Sequence, residues 1–170
     1  MNVRAGAILL LLALPTAASA QAVAALSPLY DNIKGNIIKS AEQMTEANYS
    51  FKPVPTVRSY GQLIGHVANA TYMFCSVAKG EKSPATQDFE KTTEKAALVT
   101  ALKEAFAYCD PVYKMPDASF TGMHEMFGMN MTKLGWLILN VAHDNEHYGN
   151  IVTYLRIKGL VPPSSQGGGM

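Results

Sequence analysis

Apolar side chains recur every three or four positions in four separate stretches of this sequence. That spacing matches the turn of an α-helix, so each stretch predicts a helix with one apolar face to bury. No stretch shows the strong alternation of apolar and polar residues that is typical of a half-buried strand. The pattern predicts an all-α protein, and a length of 170 residues suits one antiparallel four-helix bundle.

Capping residues set the predicted ends of the first two helices. The first is predicted to begin at Ser27-Pro28, because proline is favoured at the first helical position. The second is predicted to begin at Ser59, which forms a capping box with Gln62, and to stop at Gly80.

The other two helices are predicted over residues 92–109 and 132–158. Asp110-Pro111 ends the third helix, because proline lacks a backbone N–H and its ring clashes with the preceding turn. Gly159 ends the fourth. A long loop segment is predicted between them, before the last helix.

Residues 1–20 have the pattern of an export signal. Arg4 precedes an apolar run over residues 5–14, and Ala18-Ser19-Ala20 supplies the small residues of a cleavage site. The run is too short to span a bilayer, which needs about 20 apolar residues. The sequence therefore predicts a periplasmic or secreted protein with no membrane segment after cleavage.

The predicted organisation is one helical domain over residues 21–165, followed by a disordered glycine-rich tail over residues 166–170. Fourteen basic and thirteen acidic residues leave a net charge of +1. A protein that binds nucleic acid through its phosphates usually carries a basic excess. We therefore expect no nucleic acid partner, and the sequence leaves a small-molecule substrate open.

Cys75 and Cys109 leave two interpretations open. In an oxidising compartment two cysteines can pair as a disulfide. Two buried free thiols would instead behave as small hydrophobic side chains. The sequence contains no CxxC motif, which gives no support to a thioredoxin-like site or a ribbon-type zinc site.

Three histidines carry the main chemical signal. His143 and His147 lie four residues apart in the predicted fourth helix, which puts their Cβ atoms on one face, about 5–6 Å apart. Two imidazoles at this spacing can bind one metal ion, although such pairs also occur on solvated faces. His66 lies among apolar residues of the second helix, where a lone histidine is usually a core residue. Together they predict a His₃ site that leaves open positions for water or substrate.

Polar neighbours of these histidines are candidates to orient the rings by hydrogen bonding. Asn69 lies one turn after His66, and Asp144 adjoins His143. Asp144 and Glu146 are the nearest candidates for proton transfer, and Glu146 is expected to be a solvated helix residue.

Two segments resemble the DinB family. The run HDNEHYGNIVTYLRIKGLVPP from His143 to Pro163 resembles the last helix of that family, and GHVANATY from Gly65 to Tyr72 resembles its second helix. The resemblance covers residues 26–165. It implies a four-helix bundle whose second and third helices are parallel and joined by a long crossover.

By the same resemblance, His66, His143 and His147 bind a divalent metal, zinc or nickel. Parallel second and third helices would bring Cys75 and Cys109 to the same end of the bundle, which favours a disulfide. The resemblance also implies a homodimer. Some DinB-family proteins are metal-dependent transferases that join thiols such as bacillithiol or mycothiol to electrophiles. This chain differs in its predicted export signal and in showing no basic cluster for an anionic thiol.

A methionine-rich segment precedes the last helix. Five of the nine methionines lie between Met115 and Met131. Thioethers with an imidazole suit Cu(I), so Met123, Met126 and Met129 with His124 are candidate copper ligands. The favoured interpretation is that methionine fills irregular space under a loop. The segment is also suited to closing over a site on the last helix.

The sequence thus predicts an exported DinB-like metal protein, either a metal-dependent thiol transferase or a hydrolase. A bound metal would lower the pKa of water or thiol and supply a nucleophile. The alternatives are a non-catalytic metal-binding or stress-related binding module, a periplasmic Cu(I) carrier, and a structural bundle with core histidines.

Overall fold

A computed structural model of the chain describes residues 21–167. Over these residues the chain forms four long helices and one β-hairpin. The helices are α1 (Ala22–Gln43), α2 (Tyr60–Lys79), α3 (Lys95–Cys109) and α4 (Lys133–Ile157), and the strands are β1 (Met123–Met126) and β2 (Met129–Thr132). The predicted export signal at residues 1–20 and residues 168–170 of the predicted tail lie outside the described residues. Within the described part, no helix has both the length and the apolar character needed to cross a membrane.

Contacts at both ends of the bundle show that α2 and α3 run parallel. Leu98, in the first turn of α3, packs against Gly61 at the start of α2. At the other end, Cys75 of α2 is joined to Cys109, the last residue of α3. The chain between the helices must return along the bundle as a long crossover, which confirms the topology implied by the family resemblance.

The other two helices run in the opposite direction. The ring of Trp136 near the start of α4 lies 6.2 Å from that of Phe74 late in α2, and α4 ends beside the start of α2. Tyr30, early in α1, donates a hydrogen bond of 3.1 Å to the carbonyl of Phe106 late in α3. Both parallel helices therefore pack against antiparallel neighbours.

The start of α1 differs from the prediction. The helix begins at Ala22 rather than at Ser27-Pro28, and Pro28 lies inside it. The Asp117 carboxylate accepts hydrogen bonds from the backbone N–H groups of Ala22, at 2.9 Å, and Val23, at 3.0 Å. A carboxylate at the N-terminus of α1 satisfies free backbone N–H groups and interacts favourably with the positive end of the helix dipole. This cap comes from a distant segment, so no local pattern could reveal it.

The predicted caps of α2 are confirmed, and α4 begins close to its predicted start. Ser59 and Gln62 form the predicted capping box, and Gly80 ends α2 with a φ of 76°, a value that suits glycine. Thr132 caps α4 by accepting a hydrogen bond of 3.0 Å from the backbone N–H of Gly135.

The methionine-rich segment is a β-hairpin and not the predicted loop. Its two-residue turn, Phe127-Gly128, has φ angles of 55° and 72°. Positive φ at both positions is the type I′ turn that matches the twist of paired strands. The hairpin rests on a small apolar cluster between α2 and α4 that includes Phe74, Val77 and Trp136.

Cys75 and Cys109 form a disulfide in the buried core. Their Cα atoms are 5.4 Å apart, within the usual range for a bridge. The bridge joins positions 34 residues apart and closes the crossover between the parallel helices into a loop. Of the two interpretations of the cysteines, the structure therefore supports pairing.

Replacing both cysteines, as Cys75→Ala/Cys109→Ala, is expected to reduce the free energy of unfolding by about 3–4 kcal/mol, because the unfolded chain regains loop entropy. Thermal unfolding followed by circular dichroism should show a Tm lower by roughly 10 °C. A thiol reductant should lower the Tm of the wild type and leave the variant unchanged. Two free thiols in the denatured, non-reduced wild type would contradict the bridge.

Candidate metal centre

The Nε2 atoms of His66, His143 and His147 converge between α2 and α4. His143 Nε2 lies 3.2 Å from His66 Nε2 and 3.0 Å from His147 Nε2. One nitrogen from each of the three rings lies within 4.8 Å of the other two. The structure thus brings together all three histidines that the sequence singled out.

These separations fit a shared metal ion. Two imidazole nitrogens bound to one ion at about 2.0–2.1 Å stand about 3.3 Å apart at a tetrahedral angle and about 2.9 Å apart at a right angle. The two shortest observed distances, 3.0 and 3.2 Å, fall between these limits. Three ligands on one side of an ion leave its other positions open, as in catalytic zinc sites.

Helix geometry explains why the rings meet. On α4, Trp136 and His143 are seven residues apart, so both face α2. On α2, His66 and Phe74 are eight residues apart and face α4. Because Trp136 packs on Phe74, the antiparallel pair brings the histidines opposite each other. The apolar cluster next to the hairpin therefore sets the register of the metal centre.

The electrostatic environment keeps the rings of His66 and His147 neutral. Burial, reinforced by His143, His66 and Arg58, lowers the pKa of His147 to about 3. Burial also lowers the pKa of His66, although its hydrogen bond to Glu90 opposes the shift. Neutral imidazole is the form that binds a metal, so His66 and His147 can serve as ligands at pH 7.

Glu90 orients the His66 ring, and the sequence analysis missed it. His66 Nδ1 lies 2.6 Å from Glu90 Oε1. A carboxylate here fixes the tautomer with Nδ1–H as donor, which leaves the Nε2 lone pair for the metal. Burial alone would raise the pKa of Glu90, but hydrogen bonds from Arg58 and His66 outweigh it and lower the pKa. Glu90 is therefore held as an anion.

The crossover carries Glu90 to the site because of two features of α2. Gly65 leaves no Cβ where the Phe89 carbonyl passes, and a methyl group there would overlap that carbonyl. The Asn69 side chain accepts a hydrogen bond from the Phe89 N–H at 3.1 Å and donates one to Asp88 at 2.8 Å. Asn69 therefore acts on the centre by fixing the segment that bears Glu90, not by touching a ring.

The two acids on α4 form no hydrogen bond with any of the three histidines. Asp144 is fully buried, and its carboxylate accepts a weak hydrogen bond of 3.4 Å from Asn140. Burial, opposed by His143, raises the pKa of Asp144 to about 6. Its Oδ1 lies 3.8 Å from His143 Nδ1, too far for a hydrogen bond. Glu146 is exposed, as the sequence predicts.

A cleft of about 770 Å³ adjoins the histidines. The candidate metal ligand His147 lines it, together with the cations Lys52 and Arg58 and the anion Glu90. The neutral polar side chains of Asn150 and Tyr154 also line it. The cleft thus contains two basic side chains, and Glu90 pairs with one of them, Arg58. Lys52 and Arg58 lie on the link between α1 and α2, so the helical faces gave no sign of them.

The comparison with protein families identifies the family to which this fold belongs. The DinB superfamily model matches residues 30–151. The chain belongs to the DinB superfamily. Among its DinB relatives is the protein YjoA of Bacillus subtilis (strain 168), 25% identical over 122 residues, which cover 70% of this chain and 79% of YjoA.

Solved DinB structures share the bundle. A DinB-like protein from Bacillus cereus ATCC 10987 has a TM-score of 0.73 at 17% identity, covering 85% of this chain and 97% of that one. The structure of YjoA gives 0.65 at 21% identity, over 79% and 92%. YfiT from Bacillus subtilis, described as a probable metal-dependent hydrolase with an unusual four-helix bundle topology, gives 0.64 at 16% identity, over 86% and 94%. These likenesses show the DinB fold.

In this DinB protein, Glu90→Ala is expected to weaken zinc binding about 10–100-fold, because His66 loses the acceptor that fixes its tautomer. Glu90→Gln keeps an acceptor oxygen and should fall between Glu90→Ala and the wild type. Competition titration with a zinc chelator measures the affinities. Glu104→Ala, an exposed position on α3, is the matched control and should bind like the wild type. Equal affinity in Glu90→Ala and Glu104→Ala would contradict the assigned role.

Proposed function

We propose that this protein is a metal-dependent hydrolase whose divalent ion, zinc or nickel, is held by His66, His143 and His147. The observation that carries the proposal is the convergence of three Nε2 atoms at ligand spacing beside a cleft. The description of YfiT as a probable metal-dependent hydrolase supports the reaction class. When bound, the ion lowers the pKa of a coordinated water toward neutrality.

The residues of the chain bind and orient the substrate. Lys52 and Arg58 line the cleft that reaches His147; with Arg58 paired to Glu90, Lys52 leaves the lining with a net positive charge, which favours a substrate with an anionic group. The Tyr154 hydroxyl donates a hydrogen bond of 2.6 Å to the Arg58 carbonyl and fixes that segment against α4. Glu90 pairs with the Arg58 guanidinium at 2.9 Å, so one carboxylate aligns both the cleft arginine and the ligand His66.

The disulfide favours hydrolysis over thiol transfer. A stable Cys75–Cys109 bridge is typical of oxidising compartments, which supports the export predicted from residues 1–20. Low-molecular-weight thiols are largely oxidised there, so a transferase would lack its reduced substrate. Thiol transfer remains the second candidate because the cationic cleft also suits an anionic thiol. A non-catalytic metal-binding module would keep the ion and lack turnover.

Elemental analysis of the purified full chain is expected to find about one zinc or nickel ion per molecule. His143→Ala/His147→Ala should lose that ion, because one imidazole cannot hold it alone. His124→Ala removes the fourth histidine of the chain, which is outside the cluster, and should retain the metal. Equal metal content in the wild type and the double variant would refute the site.

The metal-loaded wild type is expected to hydrolyse p-nitrophenyl esters or phosphoesters, whereas the double variant should not. The His124→Ala control should match the wild type. A thiol with monochlorobimane tests transfer in parallel. Metal binding without turnover in either assay would support the non-catalytic module instead, and transfer without hydrolysis would support the transferase.

A further inference from the structure

The hairpin presents one imidazole and three thioethers on the same face. Its register pairs His124 with Met131, and Met126 with Met129. Residues directly opposite in an antiparallel pair have Cβ atoms about 4.5–5.5 Å apart on one side of the sheet, and alternate residues of a strand share a side. All four side chains therefore lie together, whereas Met123 lies on the other face.

Two features hold this face in place. The type I′ turn at Phe127-Gly128 fixes the register, and a slip of one residue would send every ligand to the other side. The indole Nε1 of Trp136 donates a hydrogen bond of 2.9 Å to the His124 carbonyl, which fastens β1 to α4. The arrangement is thus fixed by the backbone before any ion binds.

The ligand face is half enclosed. Met126 and Met131 are half buried against the cluster that contains Phe74 and Trp136. His124 and Met129 are exposed, which leaves an edge through which an ion can enter. The packing role expected for the methionines therefore applies to Met126 and Met131. It does not explain the exposed side chains of His124 and Met129.

We propose that His124, Met126, Met129 and Met131 form a Cu(I) site, separate from the three-histidine centre. Thioethers are soft, uncharged ligands that select Cu(I), and none of these four positions offers a carboxylate to attract a hard cation. The sequence-based set is corrected in one respect, because Met131 replaces Met123 as a ligand. Trp136 and the ligand His143 are seven residues apart on α4, so the two sites are about 10 Å apart along the helix.

The indole of Trp136 lies beside the His124 ring, on the side of the hairpin that faces the helices. The His124 ring lies edge-on to the indole, with centroids 6.4 Å apart and planes at 84°. A monovalent cation held by His124 and Met131 would therefore lie near an aromatic face, where cation–π attraction adds to binding. Trp136 is also the single tryptophan of the chain, so its fluorescence reports on the environment next to this site.

Anaerobic titration of the full chain with Cu(I), supplied as the bicinchoninate complex in ascorbate, tests the proposal. About one equivalent is expected to transfer and to quench Trp136 fluorescence. His143→Ala/His147→Ala should show the same quenching, because the hairpin is untouched. In this double variant, which lacks two ligands of the three-histidine centre near Trp136, zinc ions should leave the fluorescence unchanged. This result is independent of hydrolase activity, so either proposal can fail without the other.

Met126→Leu and Met131→Leu keep the size of the side chain and remove the sulfur, so each should weaken Cu(I) binding about tenfold or more. Met123→Leu is the matched control on the opposite face and should bind Cu(I) like the wild type. Both comparisons are made in the wild-type background, so they do not require the double histidine variant to fold. Equal affinity across the three methionine variants, or loss of Cu(I) binding on removal of His143 and His147, would overturn the site.

Discussion

Three imidazoles whose ring nitrogens converge between α2 and α4 form the constraint on which the rest of this structure depends. Burial, reinforced by His143, His66 and Arg58, lowers the pKa of His147, and burial also lowers the pKa of His66, so both of these rings are neutral at pH 7. At most one proton can lie between any two such nitrogens, so the lone pairs are not all satisfied by one another. A metal ion satisfies all three at once, and the helices hold the rings at the spacing it requires.

Contacts on two sides of the three histidines hold α2, α4 and the crossover in position around them. The packing of Phe74 on Trp136 sets the register of α2 and α4 on one side. On the other side, the missing side chain of Gly65 lets the crossover approach closely enough for Glu90 to reach His66. Because α2 and α3 are parallel, a long crossover joins them and passes the face of α2 that bears His66. The unusual topology therefore brings Glu90 to the site. The same carboxylate links the centre to Arg58 and the cleft.

Local patterns predicted the helices well, because periodicity, the Ser59 capping box and the HxxxH spacing depend on residues within a turn or two. The pairing of His66 with the other two histidines needed the packing of distant helices, which spacing alone only suggests. Glu90 and the Asp117 cap of α1 were missed because each acts across the fold. The hairpin was missed because each strand has only four residues and β1, Met-His-Glu-Met, does not alternate in polarity, although Phe127-Gly128 is a recognisable turn.

X-ray absorption at the zinc edge of the loaded protein tests the central claim most directly. The account predicts three imidazole nitrogens at about 2.0–2.1 Å, with the outer scattering of imidazole rings and an oxygen ligand in the open position. A first shell containing sulfur at about 2.3 Å, or oxygen ligands alone, would contradict it.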